Sequence, residues 1–203
     1  PLSGFDGEEL KGTWKLWGYN TGTGQTSTLT GWSLIVEVIT NHTGNIYYVS
    51  PNGDDNLFTG IENYPFKTIG KAIQEASNND TIIVKPGTYI ENVEINDKNI
   101  TLGSLYLTSN DTSYISQTII DGSNDLTRWG IDFQSNNSTF TGFTITKSGG
   151  VVARAGSTPK LSYLYMIDNS SQVGDGTGIF IEEASGTVEL DNVKIMGTIG
   201  NKR

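Results

Sequence analysis

The chain has 203 residues, 13 Lys and Arg against 22 Asp and Glu, a formal charge of −9 and no cysteine. This excludes disulfides and thiolate metal sites, offers no basic patch to nucleic acid, and leaves no run of the ~20 apolar residues that a membrane-spanning helix needs. The polar complement is unusual: 25 Gly, 25 Thr, 18 Ser and 18 Asn, with only 17% charged residues. These residues favour turns and strands over helix surfaces, so the composition points to an all-β protein with many corners.

The chain opens PLSGFDGEEL, with no initiator Met and no signal-peptide pattern, and ends VELDNVKIMGTIGNKR, on an apolar alternating segment. Both ends are expected to be interior to a longer polypeptide. Three of the four tryptophans, Trp14, Trp17 and Trp32, fall in the first 32 residues. Alternation through Trp14, Leu16 and Gly18, and through Trp32, Leu34, Val36 and Val38, predicts two strands around Gly12 to Tyr19 and Trp32 to Ile39. A two-stranded ribbon needs a larger sheet to pack on. The carrying residues Phe5, Gly7, Gly12-Thr13-Trp14-Lys15-Leu16, Gly24, Leu29 and Trp32-Ser33-Leu34 resemble the C-terminal part of a P domain (Homo B domain). This is the β-sandwich that follows the catalytic domain of subtilisin-like proprotein convertases. The resemblance covers residues 1–40 and implies an accessory module, with a subtilisin-like protease as one parent. His42, the only histidine, lies in the polar linker 41–45, so no Ser-His-Asp set can be built on it.

A strand is predicted over Ile46 to Val49, then an Asn/Asp/Gly loop, then an amphipathic helix from Pro65 to Ser77 on the spacing of Phe66, Ile69, Ile73 and Ala76. Thr81 to Val84 reads as a short strand closed by a turn at Lys85-Pro86-Gly87-Thr88. From Ile100 onward short strands recur with no helix predicted between them. Three segments superimpose: Ile131, Phe133, Phe140, Phe143, Ile145; then Val151, Ala153, Leu161, Leu164, Met166; then Ile179, Ile181, Leu190, Val193, Ile195. The period, roughly 20 to 30 residues, is that of a solenoid whose units share one core. Each coil must turn sharply several times, which Gly, Asn, Ser and Thr permit. Stacked outward side chains favour uncharged ladders over like charges. A helix laid over the open first coil would shield core and strand edge.

The strings YYVSPNGDDN, PFKTIGKAIQEA, DTIIVKPGTYIENVEI and NITLGSLYLTSNDTSYISQTIIDGSND resemble the opening of pectin-lyase-like β-helix proteins, especially large secreted bacterial surface proteins. STFTGFTITKSG and VELDNVKIMG resemble their later coils. The resemblance implies a right-handed parallel β-helix over residues 46–203, a secreted or cell-surface location and a polysaccharide or surface glycan as partner, in a monomer. It also implies what a polysaccharide lyase of this superfamily would need: calcium-binding carboxylates beside a proton-abstracting Lys or Arg. The outward positions of the aligned strands are Asp132 and Gln134, Val152 and Arg154, Phe180 and Glu182. These hold no carboxylate cluster; adding Asp121 and Lys147 to Asp132 and Arg154 gives the set a lyase would require to converge in one groove. The calcium candidates are Asp54, Asp55, Asp121 and Asp125, in Asp/Asn/Gly loops without EF-hand spacing. Trp129, Tyr165 and Phe180, read as exposed, are the candidates for stacking on sugar rings. The leading expectation is a non-catalytic solenoid scaffold for adhesion or carbohydrate binding that needs no cofactor.

Overall fold

The structure, a computed structural model of the chain, describes residues 45–134, 137–170, 178–182 and 187–197. The two strands predicted around Gly12 to Tyr19 and Trp32 to Ile39 lie outside the described residues, as does the P-domain segment. The remainder is a parallel β-helix of three faces. Face one stacks β1 (Ile46–Val49), β2 (Thr81–Val84), β5 (Thr101–Ser104) and the first halves of β8 (Thr139–Thr146), β10 (Lys160–Ile167) and β12 (Glu189–Met196). Face two stacks β3 (Gly87–Ile90), β6 (Thr118–Asp121) and the second halves of β8, β10 and β12. Face three stacks β4 (Val93–Asn96), β7 (Ile131–Gln134), β9 (Gly150–Ala153) and β11 (Gly178–Ile181). Every ladder named here is parallel.

The register reproduces the repeat read from the sequence. Phe140 pairs with Leu161 and Leu161 with Leu190, while Ile145, Met166 and Ile195 form a second row. Inward residues of successive coils thus build one column of core, in which Phe133, Phe140 and Phe143 are fully buried. The rings of Phe140 and Phe143 stack with centroids 4.6 Å apart. Each such side chain contributes about 1.5–3 kcal/mol by leaving water.

The corners use the polar residues as the composition foretold. β8, β10 and β12 bend from face one to face two at Gly142, Tyr163 and Asn192, all left-handed, with φ of +86°, +54° and +52°. Tyr163 carries the steric cost of that conformation, roughly 1–2 kcal/mol. Its ring packs at 4.3 Å on Tyr106, and burial together with the Tyr163 hydroxyl holds the Tyr106 phenol up at about 12. At the next corner the buried Asn169 donates from Nδ2 to the Ile145 carbonyl at 2.8 Å and accepts from Ser148 Oγ at 3.0 Å. Ser162 donates to the buried Thr141 one coil below, at 2.8 Å.

Helix α1 (Ile69–Glu75) covers the first coil, burying Ile69, Ala72 and Ile73. It is shorter than predicted because Phe66 bridges to β1: its amide donates to Tyr48 O and its carbonyl accepts from Ser50 N, both at 2.9 Å. A helix of seven residues is marginal alone and is held at both ends. Asp55 accepts from the Lys67 and Thr68 amides and the Thr68 hydroxyl, and Thr68 Oγ1 accepts from Lys71 N. Glu91 accepts from Ile69 N at 2.9 Å and Gly70 N at 3.0 Å. At the other end Lys98 Nζ donates to the Ile73 and Gln74 carbonyls at 2.6 and 2.9 Å. These are the charges that each helix terminus favours. Two expectations need correction. Short helices α2 (Tyr106–Ser109) and α3 (Ser113–Gln117) interrupt the coil between β5 and β6, where none was predicted. Gly87 and Thr88 belong to β3 and not to a turn.

Candidate functional site

Face three carries a cleft built by strand registry. Strand alternation points Val93, Ile95, Ile131, Phe133 and Val151 into the core and the intervening residues away from it, although Asp132 and Val152 among these are also buried. Parallel registry then sets Glu94, Asp132, Val152 and Phe180 in one row across the strands. Arg154 and Glu182 follow directly after β9 and β11, held in line by Arg154 N to Phe133 O and Glu182 N to Ala153 O, both 2.9 Å. The loop between β6 and β7 brings Thr127, Arg128 and Trp129 alongside. It is folded by Asp121, which accepts from Ser123 N, by Asp125, which accepts from the Thr127 amide and hydroxyl, and by Asn92 Nδ2 on the Trp129 carbonyl.

The resulting cleft has a volume of about 440 Å³ and is lined by Glu94, Thr127, Arg128, Trp129, Asp132, Arg154, Phe180 and Glu182. Arg154 spans three coils. It donates to Asp132 from Nε at 3.1 and 3.2 Å and from Nη2 at 2.8 Å, and to Glu182 from Nη1 at 2.6 Å. Arg128 Nη2 donates to Glu94 at 2.7 Å. Trp129 and Phe180 lie nearly parallel, centroids 5.7 Å apart. A second cleft of about 420 Å³ shares Glu94 and Arg128 and extends toward Gln74 of α1 and Lys98.

Electrostatics favour the charged forms of Arg154 and Glu182. Hydrogen bonding to Asp132 drives the Arg154 pKa up, against the opposing pull of burial, and Glu182 adds to the rise. The Arg154 bond holds the Glu182 carboxyl below its usual range, aided by the Ala155 amide and opposed by burial. A general base works best with a pKa near the operating pH. The shift at Arg154 carries it away from that role.

The structure groups the residues singled out in the sequence as follows. Asp132 and Arg154 line the cleft as one ion pair. Asp121, at the end of β6 on face two, pairs separately with Lys147 at 2.7 Å; neither lines the cleft. Trp129 and Phe180 are neighbours in it, but Trp129 is only 7% exposed: its ring is covered because it packs on Phe180, which corrects the expectation of an exposed platform. Tyr165 stands apart on β10, with Lys194 Nζ 4.9 Å from its ring centroid. Of the calcium candidates, Asp54 accepts from the Asn56 and Leu57 amides, Asp55 serves α1, and Asp121 and Asp125 shape the loop. Calcium asks for six to eight oxygens; these carboxylates are taken up by local backbone and side-chain donors. Among the described residues no three of His, Cys, Asp or Glu gather as a metal set. Sequence reasoning missed Glu94 and Arg128. The alternation of Val93-Glu94-Ile95-Asn96, one coil before the aligned repeats, was the available signal for Glu94.

Residues 51–96 match the model of a family described as "Protein of unknown function (DUF1565)", a family associated with parallel β-helix proteins. The matched segment runs from the loop after β1 through α1 to the end of β4, and so includes Asp55, Glu91 and Glu94. A stretch of 52 residues, 26% of this chain, is 36% identical to the "Uncharacterized protein YwoF" of Bacillus subtilis (strain 168). The matched stretch spans 11% of that relative's length.

Proposed function

We propose that this chain is a glycan-contacting β-helix segment of a large secreted or cell-surface bacterial protein, acting as a non-catalytic scaffold. One observation carries the reading: on face three an aromatic side chain, Phe180, and a fixed chain of carboxylates and guanidinium groups meet in a single cleft. Sugar rings are bound by that combination, an apolar face for the ring and convergent polar groups for its hydroxyls. The repetitive fold supports it, because a solenoid presents an extended row of outward side chains at constant spacing. In this reading residues 1–40 end a P-domain sandwich, a part that rests on the Gly12-to-Leu16 and Trp32-to-Leu34 motifs. A lyase has less support, since its four residues stand as two separate ion pairs and Arg154 is held charged.

A carbohydrate microarray tests the reading. Binding to at least one surface polysaccharide is expected, weakened about 3- to 10-fold in Phe180→Ala by the loss of ring stacking. Binding that is indifferent to Phe180→Ala would remove the cleft from the proposal.

A further inference from the structure

We infer that the face-three cleft selects neutral glycans and rejects uronate-rich ones, an inference that rests on reading the cleft as a glycan site. Three carboxylates, Glu94, Asp132 and Glu182, face two guanidinium groups, Arg128 and Arg154. Both guanidinium groups are already bound: Arg128 to Glu94 at 2.7 Å, Arg154 to Asp132 at 2.8 Å and to Glu182 at 2.6 Å. A uronate therefore meets a cleft with a surplus carboxylate, in which Arg154 bridges two carboxylates and only the half-exposed Arg128, bound to Glu94 through Nη2, has donors to spare. The net charge of −9 adds a repulsive field for polyanions at longer range.

Recruiting Arg154 would require a uronate to displace Asp132, a residue only 9% exposed. That would strand a poorly solvated carboxylate, and removing one partner of a buried pair is the costly way to break it. A neutral sugar makes no such demand. A carboxylate has about four lone-pair sites, so Glu94 and Asp132 can accept sugar hydroxyls while keeping their arginine partners. Phe180 offers its ring to the apolar face of a pyranose. Because Glu94, Asp132, Val152 and Phe180 occupy consecutive rungs at intervals of ~4.8 Å, the carboxylate end and the aromatic end are ~14 Å apart. That length suits a short oligosaccharide better than a single sugar, one held at the two ends of the row, since Val152 between them is buried and does not line the cleft.

Native affinity electrophoresis of the whole chain at low ionic strength tests this, with galactomannan, xyloglucan and mixed-linkage β-glucan as neutral polymers and polygalacturonate and alginate as acidic ones. The expected result is retardation by at least one neutral polymer at a concentration at least 10-fold below that required of either acidic polymer. Equal or stronger retardation by polygalacturonate overturns the selectivity and leaves the glycan reading standing. Retardation by none of the five removes both. The double variant Glu94→Gln, Glu182→Gln, checked for native circular dichroism, isolates the cause. Polygalacturonate binding should tighten about 10-fold, and unchanged rejection would show that these carboxylates are not its source.

Discussion

Arg154 grips Asp132 on the preceding coil through both Nε and Nη2, so one guanidinium plane fastens β7 to the turn that follows β9. Its remaining reach, to Glu182, adds the next coil. Replacing Arg154 with Met would leave two carboxylates on flanking coils without their shared counter-ion. With the arginine side chain 36% exposed, the loss is expected at about 1–2 kcal/mol. It should appear as a lower urea midpoint at unchanged slope. Arg154→Lys should recover less than half, because an ammonium cannot reproduce the fork.

Acid should loosen the outer face before the core. Burial pushes the Asp121 carboxyl up, but hydrogen bonds from Lys147 and Ser123 N more than offset it, and the net pKa is lowered; Glu182 is lowered chiefly by Arg154. A carboxyl depressed in the folded state stabilises it above the unfolded pKa, about 3.9 for Asp and 4.3 for Glu, and that contribution is lost as pH falls through the folded value. The thermal midpoint should therefore drop steeply below about pH 4. Asp121→Asn should be less stable than the parent at pH 7 yet show a shallower acid limb. An identical acid limb would remove Asp121 from the account.

Glu91 behaves with the opposite sign. Burial raises its pKa, against the lowering by the Ile69 and Gly70 amides, and Asp55 adds to the rise. Its contribution to stability is full below the unfolded Glu value and is lost as pH rises through the folded one. Its carboxyl accepts from the first two amides of α1, and so caps the N-terminus of that helix. Glu91→Ala should raise hydrogen exchange at the Ile69 and Gly70 amides about 5-fold, the equivalent of roughly 1 kcal/mol for a lost cap. The amides of β7 and β9 should keep their protection.

Two glycines should separate crowding from backbone strain. A Cβ on Gly53 would come within 2.2 Å of Phe66 O and 2.4 Å of Pro65 O, the backbone that Phe66 uses to bridge β1. Gly53→Ala is expected to cost about 1–3 kcal/mol and to expose the cap. At Gly156, φ is +86° but nothing lies within 4 Å of the point where an alanine methyl would stand. Gly156→Ala should therefore cost only the left-handed strain, about 1 kcal/mol. Equal destabilisation in chemical denaturation would contradict this difference.

Much of the fold was legible because a parallel solenoid repeats one local pattern. The rows Phe140-Leu161-Leu190 and Phe143-Leu164-Val193 are the offsets read from the sequence; of the residues read as outward, Asp132, Arg154, Phe180 and Glu182 line one cleft, while Val152 is fully buried. Helices α2 and α3 were not legible. Tyr106–Ser109 and Ser113–Gln117 are single turns whose Ser, Thr and Tyr suit helix, strand and corner about equally. The burial of Trp129 was hidden for a different reason. Its neighbour Phe180 is on another coil, and nothing local to a tryptophan beside Arg128 says which ring will cover it.

Composition and periodicity by themselves determined the architecture: strands stacked coil on coil, corners of Gly, Asn, Ser and Thr, and an amphipathic helix over the first coil. Those features depend on residues close in sequence or at a constant offset. Which charges meet was decided only by the tertiary structure. Arg154 finds Asp132 22 residues back and Glu182 28 residues ahead, and Glu91 reaches the Ile69 amide 22 residues before it. These separations are set by corner loops of unequal length, and a change of one residue in a strand's register would turn its side chains to the opposite face. The cleft is thus a product of registry between coils, which no single segment of the chain contains.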